Sequence, residues 1–363
     1  MTKNREQKHQ SFFHKHRFLS ALLTIVAVIV ICFAALLGWL TVTEFRPEPV
    51  QPAISGPVTA RQKLDQDTVK ILTFNMGYGS LGKESDFVLD GGKGSGQQDP
   101  ATVDKNMQGI RGILKAENAD IVMVQEIDQE SARTQDMNQL EYFSEALQGY
   151  QWSYAQNFVC PFVPFPLTSP FGRLDSGIAT YSRYTVSQAD RISLPVPFTW
   201  PVRTANLKRC LLLTRVPLQG RKEELVIMNF HLEAYDDGEG KRKQTEQLMS
   251  LMQNEVDKGN YVIAGGDFNQ IFPEVETVVL PTSEWVPGNL EPLEGNWRYI
   301  YDDSTPTCRL LNQAYDPSDP LTQYYVIDGF IVSENIEVNS VKTLDEKFEY
   351  SDHNPVVMEV TLK

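Results

Sequence analysis

An uninterrupted apolar run near the N-terminus constrains this chain more than any other feature. The run extends from Phe18 to Val42 and contains no charged side chain. Crossing the hydrocarbon core of a bilayer takes about 20 helical residues, so the run is long enough to span a membrane. A helix that is apolar on every face is rare at the start of a water-soluble protein. The sequence therefore predicts one transmembrane helix over residues 18–42.

The residues before this run indicate how the helix is oriented. Residues 1–17 carry one acidic side chain, Glu6, and five basic ones, Lys3, Arg5, Lys8, Lys15 and Arg17. Basic flanks stay on the cytoplasmic side, so we expect a cytoplasmic basic segment, a single-pass signal-anchor in the cell membrane and an extracytoplasmic C-terminal region. The alternative is a cleaved signal peptide, although the run is long for one and no clean A-x-A site follows it. Both interpretations export the rest of the chain.

Two segments follow the apolar run. Residues 43–67 contain several Pro and Gln residues and show no apolar periodicity, which predicts a spacer. From residue 68 onward, short apolar runs alternate with turns and helical stretches, without an internal repeat or a second linker. A domain of about 300 residues can bury a large core. Residues 68–363 are therefore predicted to form one domain.

The apolar patterns within residues 68–363 predict an α/β fold. Helices are expected over residues 101–117 and 240–258. Strands are expected over residues 69–75, 119–126, 152–157, 177–184, 209–218, 224–232, 260–269, 326–333 and 354–362. The strands between residues 177 and 232 follow one another without an intervening helix, so mixed rather than purely parallel sheets are expected.

The net charge bears on which partners the domain can bind. The whole chain carries −14 at pH 7, and the part after residue 17 is more acidic still because the first seventeen residues are basic. Proteins bind long polyanions mainly through Lys and Arg contacts with phosphates. Nucleic acid is therefore a disfavoured partner. We expect a monomer that meets the membrane through its N-terminal helix.

Polar side chains recur where the predicted strands end. The set comprises Asn75, Glu126, His231, Asp267, Asn269, Asp328, Asp352 and His353. Ligands of sheet-based folds gather at strand ends, so these side chains are expected to converge on one cleft. Each of them taken alone is more commonly a turn or capping residue. Their repeated occurrence at strand ends favours a functional site.

The residue types in this set indicate metal-assisted chemistry. Carboxylates such as Glu126 and Asp352 are hard oxygen ligands that suit Mg²⁺ or Mn²⁺. His231 and His353 can transfer protons near neutral pH. The 4 Cys show no metal-ligand spacing, so structural zinc is not indicated. A metal, proton carriers and hydrogen-bond donors together describe the hydrolysis of a phosphoric ester.

The order of these residues carries a family resemblance. The motifs LTFN, VQEID, NFHL, GGDFN, VIDGFIVS and SDHNPV resemble those of the endonuclease/exonuclease/phosphatase superfamily, which includes deoxyribonuclease I-like enzymes. The resemblance extends from Val69 to Lys363. It implies a four-layer α/β sandwich, in which two packed mixed sheets are flanked by helices. NMGYG after the first strand and Gly329 after Asp328 depart from the usual family pattern, which leaves the substrate open.

The resemblance also implies a role for each residue. The metal ligands would be Asn75, Glu126 and Asp352. The catalytic residues would be His231, Asp267, Asn269, Asp328 and His353. Among them, Asp267 would orient or deprotonate the attacking water, and Asp328 would fix the tautomer of His353. The expected reaction is in-line attack of water on phosphorus without a covalent enzyme intermediate.

Two loops are expected to shape the substrate pocket. The Gly-rich loop 76–100 is suited to wrapping a phosphate with backbone N–H groups, and the aromatic, Pro-rich loop 157–176 is suited to touching lipid or capping a cleft. The alternatives are a mobile surface loop for 76–100 and a loop packed on the domain's own core for 157–176. Arg173 and Arg203 are candidate phosphate contacts, and the favoured alternative for either is a solvated surface position.

Three functions remain open from the sequence. The first is an extracytoplasmic phosphodiesterase or phosphatase acting on a lipid headgroup or a small phosphoester. The second is a deoxyribonuclease-like nuclease, and the third is a non-catalytic surface-binding protein on the same scaffold. The acidic charge and the membrane helix favour the first.

Overall fold

The computed structural model describes residues 2–58, 62–236, 238–276 and 285–363, with side chains from residue 17 onward. The chain divides into two compact units, Met1–Glu44 and Phe45–Lys363. The first unit consists of helix α1 (Thr2–Val42). The stretch of α1 from Arg17 to Val42 is long and apolar enough to cross a membrane.

The second unit alternates strands with helices, as the sequence predicts. Its helices are α2 (Pro100–Glu117), α3 (Gln139–Ala146) and α4 (Glu239–Val256). Its strands are β1 (Val50–Pro52), β2 (Ile54–Ser55), β3 (Thr68–Asn75), β4 (Ile121–Asp128), β5 (Gln151–Val163), β6 (Gly172–Ser182), β7 (Gln188–Ser193), β8 (Cys210–Pro217), β9 (Glu224–His231), β10 (Tyr261–Asp267), β11 (Gln270–Ile271), β12 (Gly288–Asn289), β13 (Arg298–Ile300), β14 (Cys308–Arg309), β15 (Tyr324–Tyr325), β16 (Asp328–Val332), β17 (Ile336–Thr343) and β18 (Val356–Leu362).

Fourteen of these strands form two seven-stranded mixed sheets. Sheet I has the order β17-β18-β3-β4-β6-β5-β2, and sheet II has the order β1-β7-β8-β9-β10-β16-β13. Each sheet has one parallel pair near its centre, β3–β4 in sheet I and β9–β10 in sheet II, and all other neighbours within the two sheets are antiparallel. A helix connects the strands of each parallel pair, α2 in the first case and α4 in the second. The carboxyl ends of both parallel pairs carry four of the residues that the sequence singles out, Asn75, Glu126, His231 and Asp267.

Both faces of each sheet are buried, which explains the nearly continuous apolar runs of the central strands. In β3, Ile71 packs between the sheets while Leu72 packs outward with residues of α2 and α3. In β9, Ile227 packs between the sheets while Met228 packs outward against α4. Successive side chains on a strand point to opposite faces, so one strand serves two cores. The resulting order, helices, sheet I, sheet II and helix, is the predicted four-layer α/β sandwich.

The structure differs from the predicted spacer over residues 43–67. Within it, β1 pairs with β7 at the edge of sheet II, and β2 pairs with β5 at the edge of sheet I. Leu64 is buried and forms an isolated bridge with Leu218. These strands are two or three residues long, so period-2 alternation has no room to develop, and β1 ends in a proline that only an edge strand tolerates.

The aromatic segment 157–176 is mostly strand rather than loop. Strand β5 continues to Val163 and β6 begins at Gly172, so the connecting turn covers residues 164–171. Pro161 lies where the pairing register shifts between Cys160 and Val163. A proline lowers the strand signal in sequence, yet a β-bulge accommodates the missing N–H donor.

Candidate active site

Sheet II brings three of the predicted site residues together through its strand register. Asp267 at the end of β10 is the pairing partner of His231 on β9 and of Asp328 on β16. Gly266 makes this possible, because a Cβ there would lie 1.9 Å from the carbonyl oxygen of Phe230. The Asp267 Oδ2 atom is 3.4 Å from His231 Nε2.

Sheet I supplies Asn75 and Glu126 from the ends of its parallel pair. Asn75 ends β3, and its Nδ2 donates to Asp267 Oδ2 across the two sheets at 3.0 Å. Its Oδ1 accepts from the Gly77 backbone N–H at 3.1 Å, which fixes the amide. Glu126 lies where the pairing of β4 with β6 shifts register, and its φ is +56°. This backbone conformation costs roughly 1–2 kcal/mol for a residue with a side chain, so surrounding contacts must hold it.

The segment before β18 supplies the last two predicted residues. His353 Nδ1 contacts Asp328 Oδ2 at 2.8 Å, and its Nε2 is 3.8 Å from Asp267 Oδ2. The Asp328 backbone N–H donates to Thr307 Oγ1 at 3.1 Å, which helps to fix this strand end. Asp352 Oδ1 accepts from Ser351 Oγ at 3.3 Å. All eight predicted residues therefore lie around the ends of the two parallel pairs, and Asp267 is the shared neighbour of Asn75, His231 and His353.

Asn269 connects the ends of two neighbouring strands. Its φ is +50°, and its backbone N–H donates to Asp267 Oδ1 at 2.8 Å. Its Nδ2 donates to the Leu232 carbonyl at 2.9 Å. Asn269 therefore holds Asp267 through its backbone and ties the end of β10 to the end of β9 through its side chain.

The two histidines have opposite electrostatic environments. Burial lowers the pKa of His353, but the neighbouring Asp328 carboxylate outweighs it and holds that pKa well above the usual value. Burial, together with the Arg209 guanidinium, holds the pKa of His231 well below the usual value. The site therefore favours a charged imidazolium at His353 and a neutral imidazole at His231, which is how titratable pairs divide acid and base roles.

The carboxylates of Glu126 and Asp352 fit a divalent cation. Burial, followed by the charge of Asp352, raises the pKa of Glu126 to about 8. Burial also raises the pKa of Asp352. Glu126 Oε2 is buried without a hydrogen-bond partner among the described residues. Buried carboxylates that repel each other are stabilised by a hard cation, and an unpartnered oxygen is the ligand atom such a cation takes.

A second acidic group in the site is spatially compact. Asp267, Asp328 and His353 each offer an atom within 4.8 Å of the others. In this group, however, His353 Nδ1 already contacts Asp328, and Asp267 already accepts from Asn75. His353 offsets the charge of Asp328, although Asp328 Oδ1 is, like Glu126 Oε2, buried without a hydrogen-bond partner among the described residues. We expect the ion at Glu126, because the pairing with His353 already uses the Asp328 carboxylate.

The loop 76–100 is held in place by a residue that the sequence does not single out. Arg309 is buried, and its Nη2 donates to the carbonyls of Gly82 at 2.9 Å and Ser85 at 3.2 Å. Phe87 stacks on Phe171 of the β5–β6 turn with ring centroids 5.7 Å apart. The two loops predicted to shape the pocket therefore contact each other. No motif marks Arg309, because its role depends on carbonyls more than two hundred positions away.

Arg173 does not face the catalytic residues as a free cation. Its guanidinium pairs with Glu130 at 2.6 Å and with Asp136 at 2.7 Å. Two exposed carboxylates therefore pair with the side chain at the surface, which is the role that the sequence favours for Arg173 over a phosphate contact.

A family model described as Endonuclease/Exonuclease/phosphatase family matches residues 72–353. The chain belongs to this family. The matched region contains all eight predicted site residues, and the resemblance inferred from the sequence is confirmed. The endonuclease/exonuclease/phosphatase family consists of enzymes that hydrolyse phosphoesters.

Solved structures of the endonuclease/exonuclease/phosphatase family share this fold at low identity. A member from Beutenbergia cavernae gives a TM-score of 0.57 at 16% identity, covering 82% of this chain and 72% of that chain. A member from Bacteroides vulgatus gives 0.53 at 14% identity, covering 82% and 99%. ANGEL2, a 2′,3′-cyclic phosphatase in complex with adenosine-2′,3′-vanadate, gives 0.54 at 11% identity, covering 86% and 99%. These similarities establish the fold. A comparison with curated protein sequences found no match.

Proposed function

We propose that this protein is a divalent-metal-dependent phosphoesterase that hydrolyses a small phosphodiester or phosphomonoester, such as a lipid headgroup, outside the cell membrane. One observation carries the proposal. Side chains from two sheets converge on the Asp267 carboxylate, which is 3.0 Å from Asn75 Nδ2 and 3.4 Å from His231 Nε2. A non-catalytic scaffold has no need for such a cluster of buried charged groups, which is costly to bury.

The residues of sheet I would hold the metal. Glu126 and Asp352, with Asn75, are suited to bind Mg²⁺ or Mn²⁺, which would supply Lewis-acid stabilisation of charge on the phosphate. Asn75 contributes in a second way, because its Nδ2 fixes the orientation of Asp267. The cluster of acidic groups is suited to bind either ion, and assays with each ion distinguish them.

The residues of sheet II and His353 would transfer the protons. Asp267 is held by two N–H donors, Asn75 Nδ2 and the Asn269 backbone, which orients its carboxylate for taking a proton from the attacking water. A neutral His231 beside it provides no competing positive charge. His353, kept charged by Asp328, is suited to donate from Nε2 to a phosphate oxygen that gains charge in the transition state.

The N-terminal helix supports a membrane location. Its apolar stretch from Arg17 to Val42 is long enough to cross a bilayer, and the basic residues before it favour a cytoplasmic N-terminus. The Phe45–Lys363 unit would then lie outside the cell. Protease added to intact spheroplasts should degrade this unit, and protection until the membrane is permeabilised would contradict the orientation.

A substrate panel with one inactivating variant tests the catalytic proposal. The full-length protein in detergent is assayed with Mg²⁺ and with Mn²⁺ on bis-p-nitrophenyl phosphate, sphingomyelin, inositol phosphates, sugar phosphates, plasmid DNA and adenosine 2′,3′-cyclic phosphate. The last substrate is included because ANGEL2 is a 2′,3′-cyclic phosphatase. Glu126→Gln should lower turnover by about 100-fold or more, as when a catalytic ligand is disabled.

A matched control separates this loss from a general effect of removing a carboxylate. Glu359 lies on β18 of sheet I with an exposed side chain, so Glu359→Gln should retain wild-type turnover. Wild-type turnover in Glu126→Gln would remove Glu126 from its proposed role. Inactivity of the wild type on every ester, with either ion, would contradict the enzymatic proposal as a whole.

A further inference from the structure

We propose that Asp90 and Tyr235 form a strap across the catalytic cleft that admits small or chain-terminal phosphoesters and excludes a phosphate inside a continuous polynucleotide. The proposal rests on the proposed function, because it concerns what can reach the same site. It assigns a role to the loop 76–100 and to the turn after β9, neither of which contributes a predicted catalytic residue.

The two ends of the strap belong to opposite walls of the cleft. Asp90 lies in the loop that follows β3 of sheet I, and Tyr235 lies in the turn that follows β9 of sheet II. The Tyr235 hydroxyl donates to Asp90 Oδ1 at 3.0 Å. Because Asn75 ends β3 and His231 ends β9, this hydrogen bond joins the walls from which catalytic side chains project. A chain passing between the walls at this point would have to break it.

The Asp90 end is held in a defined position. Asp86 accepts from the backbone N–H groups of Lys93 at 2.7 Å and Gly94 at 3.0 Å, which closes the turn around Asp90. The Phe87 backbone N–H donates to the Leu311 carbonyl at 2.7 Å. Asp90 itself is 7% exposed. The carboxyl group is therefore placed by its loop before any substrate arrives.

The Tyr235 end is held as well, while its ring stays accessible. Glu233 Oε1 accepts from the backbone N–H groups of Ala234 at 3.1 Å and Tyr235 at 3.3 Å. Trp285 Nε1 donates to the Ala234 carbonyl at 3.1 Å, and its ring lies 6.3 Å from the Tyr235 ring. Tyr235 is 41% exposed. Its hydroxyl is engaged in the strap, and part of its ring remains available beside the cleft.

The charge of Asp90 adds to the steric effect. Burial raises the pKa of Asp90 to about 6, with the hydrogen bond from Tyr235 acting to lower it and the neighbouring Asp352 charge acting to raise it. The group is therefore mostly an anion at neutral pH. A phosphate adjacent to the reacting one would lie near this carboxylate in a low-dielectric environment and would be repelled. A polynucleotide carries such neighbouring phosphates, whereas a small ester does not. The overall charge of −14 acts in the same direction.

Two variants open the strap to different degrees. Tyr235→Phe removes the hydroxyl and keeps the ring, so the packing against Trp285 is retained. Asp90→Ala removes both the hydrogen bond and the charge. The matched control is Tyr299→Phe, which also removes one hydroxyl, there bonded to the Glu291 carbonyl at 3.0 Å rather than to Asp90. Circular dichroism melting of each full-length variant in detergent establishes that it is folded.

The measured quantity is the ratio of cleavage of circular single-stranded DNA, which has no ends, to hydrolysis of bis-p-nitrophenyl phosphate. Wild type and Tyr299→Phe should hydrolyse the small diester much faster than they nick the circle, which gives a low but measurable ratio. Tyr235→Phe should raise the ratio by about tenfold, the worth of one hydrogen bond to a charged group, and Asp90→Ala should raise it further.

The outcomes separate the strap from the proposed function. If wild type nicks the circle as readily as it hydrolyses the small diester, or if the ratio does not change in folded strap variants, the strap is overturned and phosphoester hydrolysis still stands. If wild type hydrolyses neither these substrates nor any other ester of the panel, the proposed function fails and the strap fails with it.

Discussion

Sheet I and sheet II have matching architectures but contribute different chemistry to the active site. Sheet I and the segment before its strand β18 provide Asn75, Glu126 and Asp352, the residues expected to hold a metal. Sheet II provides His231, Asp267 and Asp328, the residues suited to handle protons. His353 lies in the segment before β18 of sheet I, but its contact with Asp328 at 2.8 Å places it with the residues suited to handle protons. In the proposed function, the two similar parallel pairs would therefore divide metal binding from proton transfer.

The largest expected effect tests this division directly. Asp267→Asn should lower kcat by about 10³-fold, within the range for removing a general base, and should leave the metal concentration for half-maximal activity unchanged. Asp352→Asn should instead raise that concentration by about 10–100-fold. Both are measured as activity against Mg²⁺ concentration. If excess Mg²⁺ restores Asp267→Asn, the residue acts on the metal and the division between the sheets is lost.

A smaller effect is expected at the contact between Asp328 of sheet II and His353, which precedes strand β18 of sheet I. Asp328→Asn should lower kcat/KM by about 100-fold, since it removes the carboxylate that orients His353. The sign of the accompanying pH effect follows from the contacts. Asp328 holds the pKa of His353 well above its usual value, so its removal lowers that pKa. If His353 acts as the imidazolium, activity is lost as pH rises through this pKa, and the alkaline limb of the pH profile should move to lower pH.

The same profile distinguishes the two histidines. Burial and Arg209 hold the pKa of His231 well below its usual value, so its titration is displaced to acid pH and does not produce the alkaline limb. An alkaline limb that stays in place in Asp328→Asn would show that His353 is not the titrating acid.

The catalytic centre and its rim also differ in how far the sequence predicts them. Residues such as His231 and Asp267 lie at ends of strands whose apolar runs are clear, and strand ends of a parallel pair meet at one edge of a sheet. Local pattern and topology are enough to place them together. The hydrogen bond between Asp90 and Tyr235, by contrast, joins positions 145 residues apart in two irregular segments, and nothing in either segment specifies the other.

Short elements escape prediction for a related reason. Strands β1 and β2 acquire their conformation from the edges of sheets that are already formed, since each pairs with a strand about a hundred residues or more later in the chain. Their own sequences contain too few residues to show an alternation. Long-range packing therefore decides the limits of the domain, whereas local periodicity decides its central strands.

The smallest of these effects concerns the contact between the sheets themselves. Asn229 on β9 of sheet II donates from Nδ2 to the Ala179 carbonyl of sheet I at 2.8 Å, and its Oδ1 accepts from Gln125 Nε2 at 2.7 Å. Asn229→Ala leaves these buried partners unsatisfied and should lower the free energy of unfolding by about 2 kcal/mol. Urea unfolding of the full-length protein in detergent measures it.

An exposed amide provides the control for that change. Asn339 on β17 donates to Thr361 at 3.0 Å at the surface, so Asn339→Ala should alter stability by less than about 0.5 kcal/mol. Asn229 lies two residues before His231, and Gln125 directly precedes Glu126, so a loosened contact should also misalign the two halves of the active site. Asn229→Ala is therefore expected to lower kcat together with stability. Full activity in a destabilised Asn229→Ala protein would mean that the strand ends, rather than the polar contact between the sheets, set the alignment of the metal-binding and proton-transferring residues.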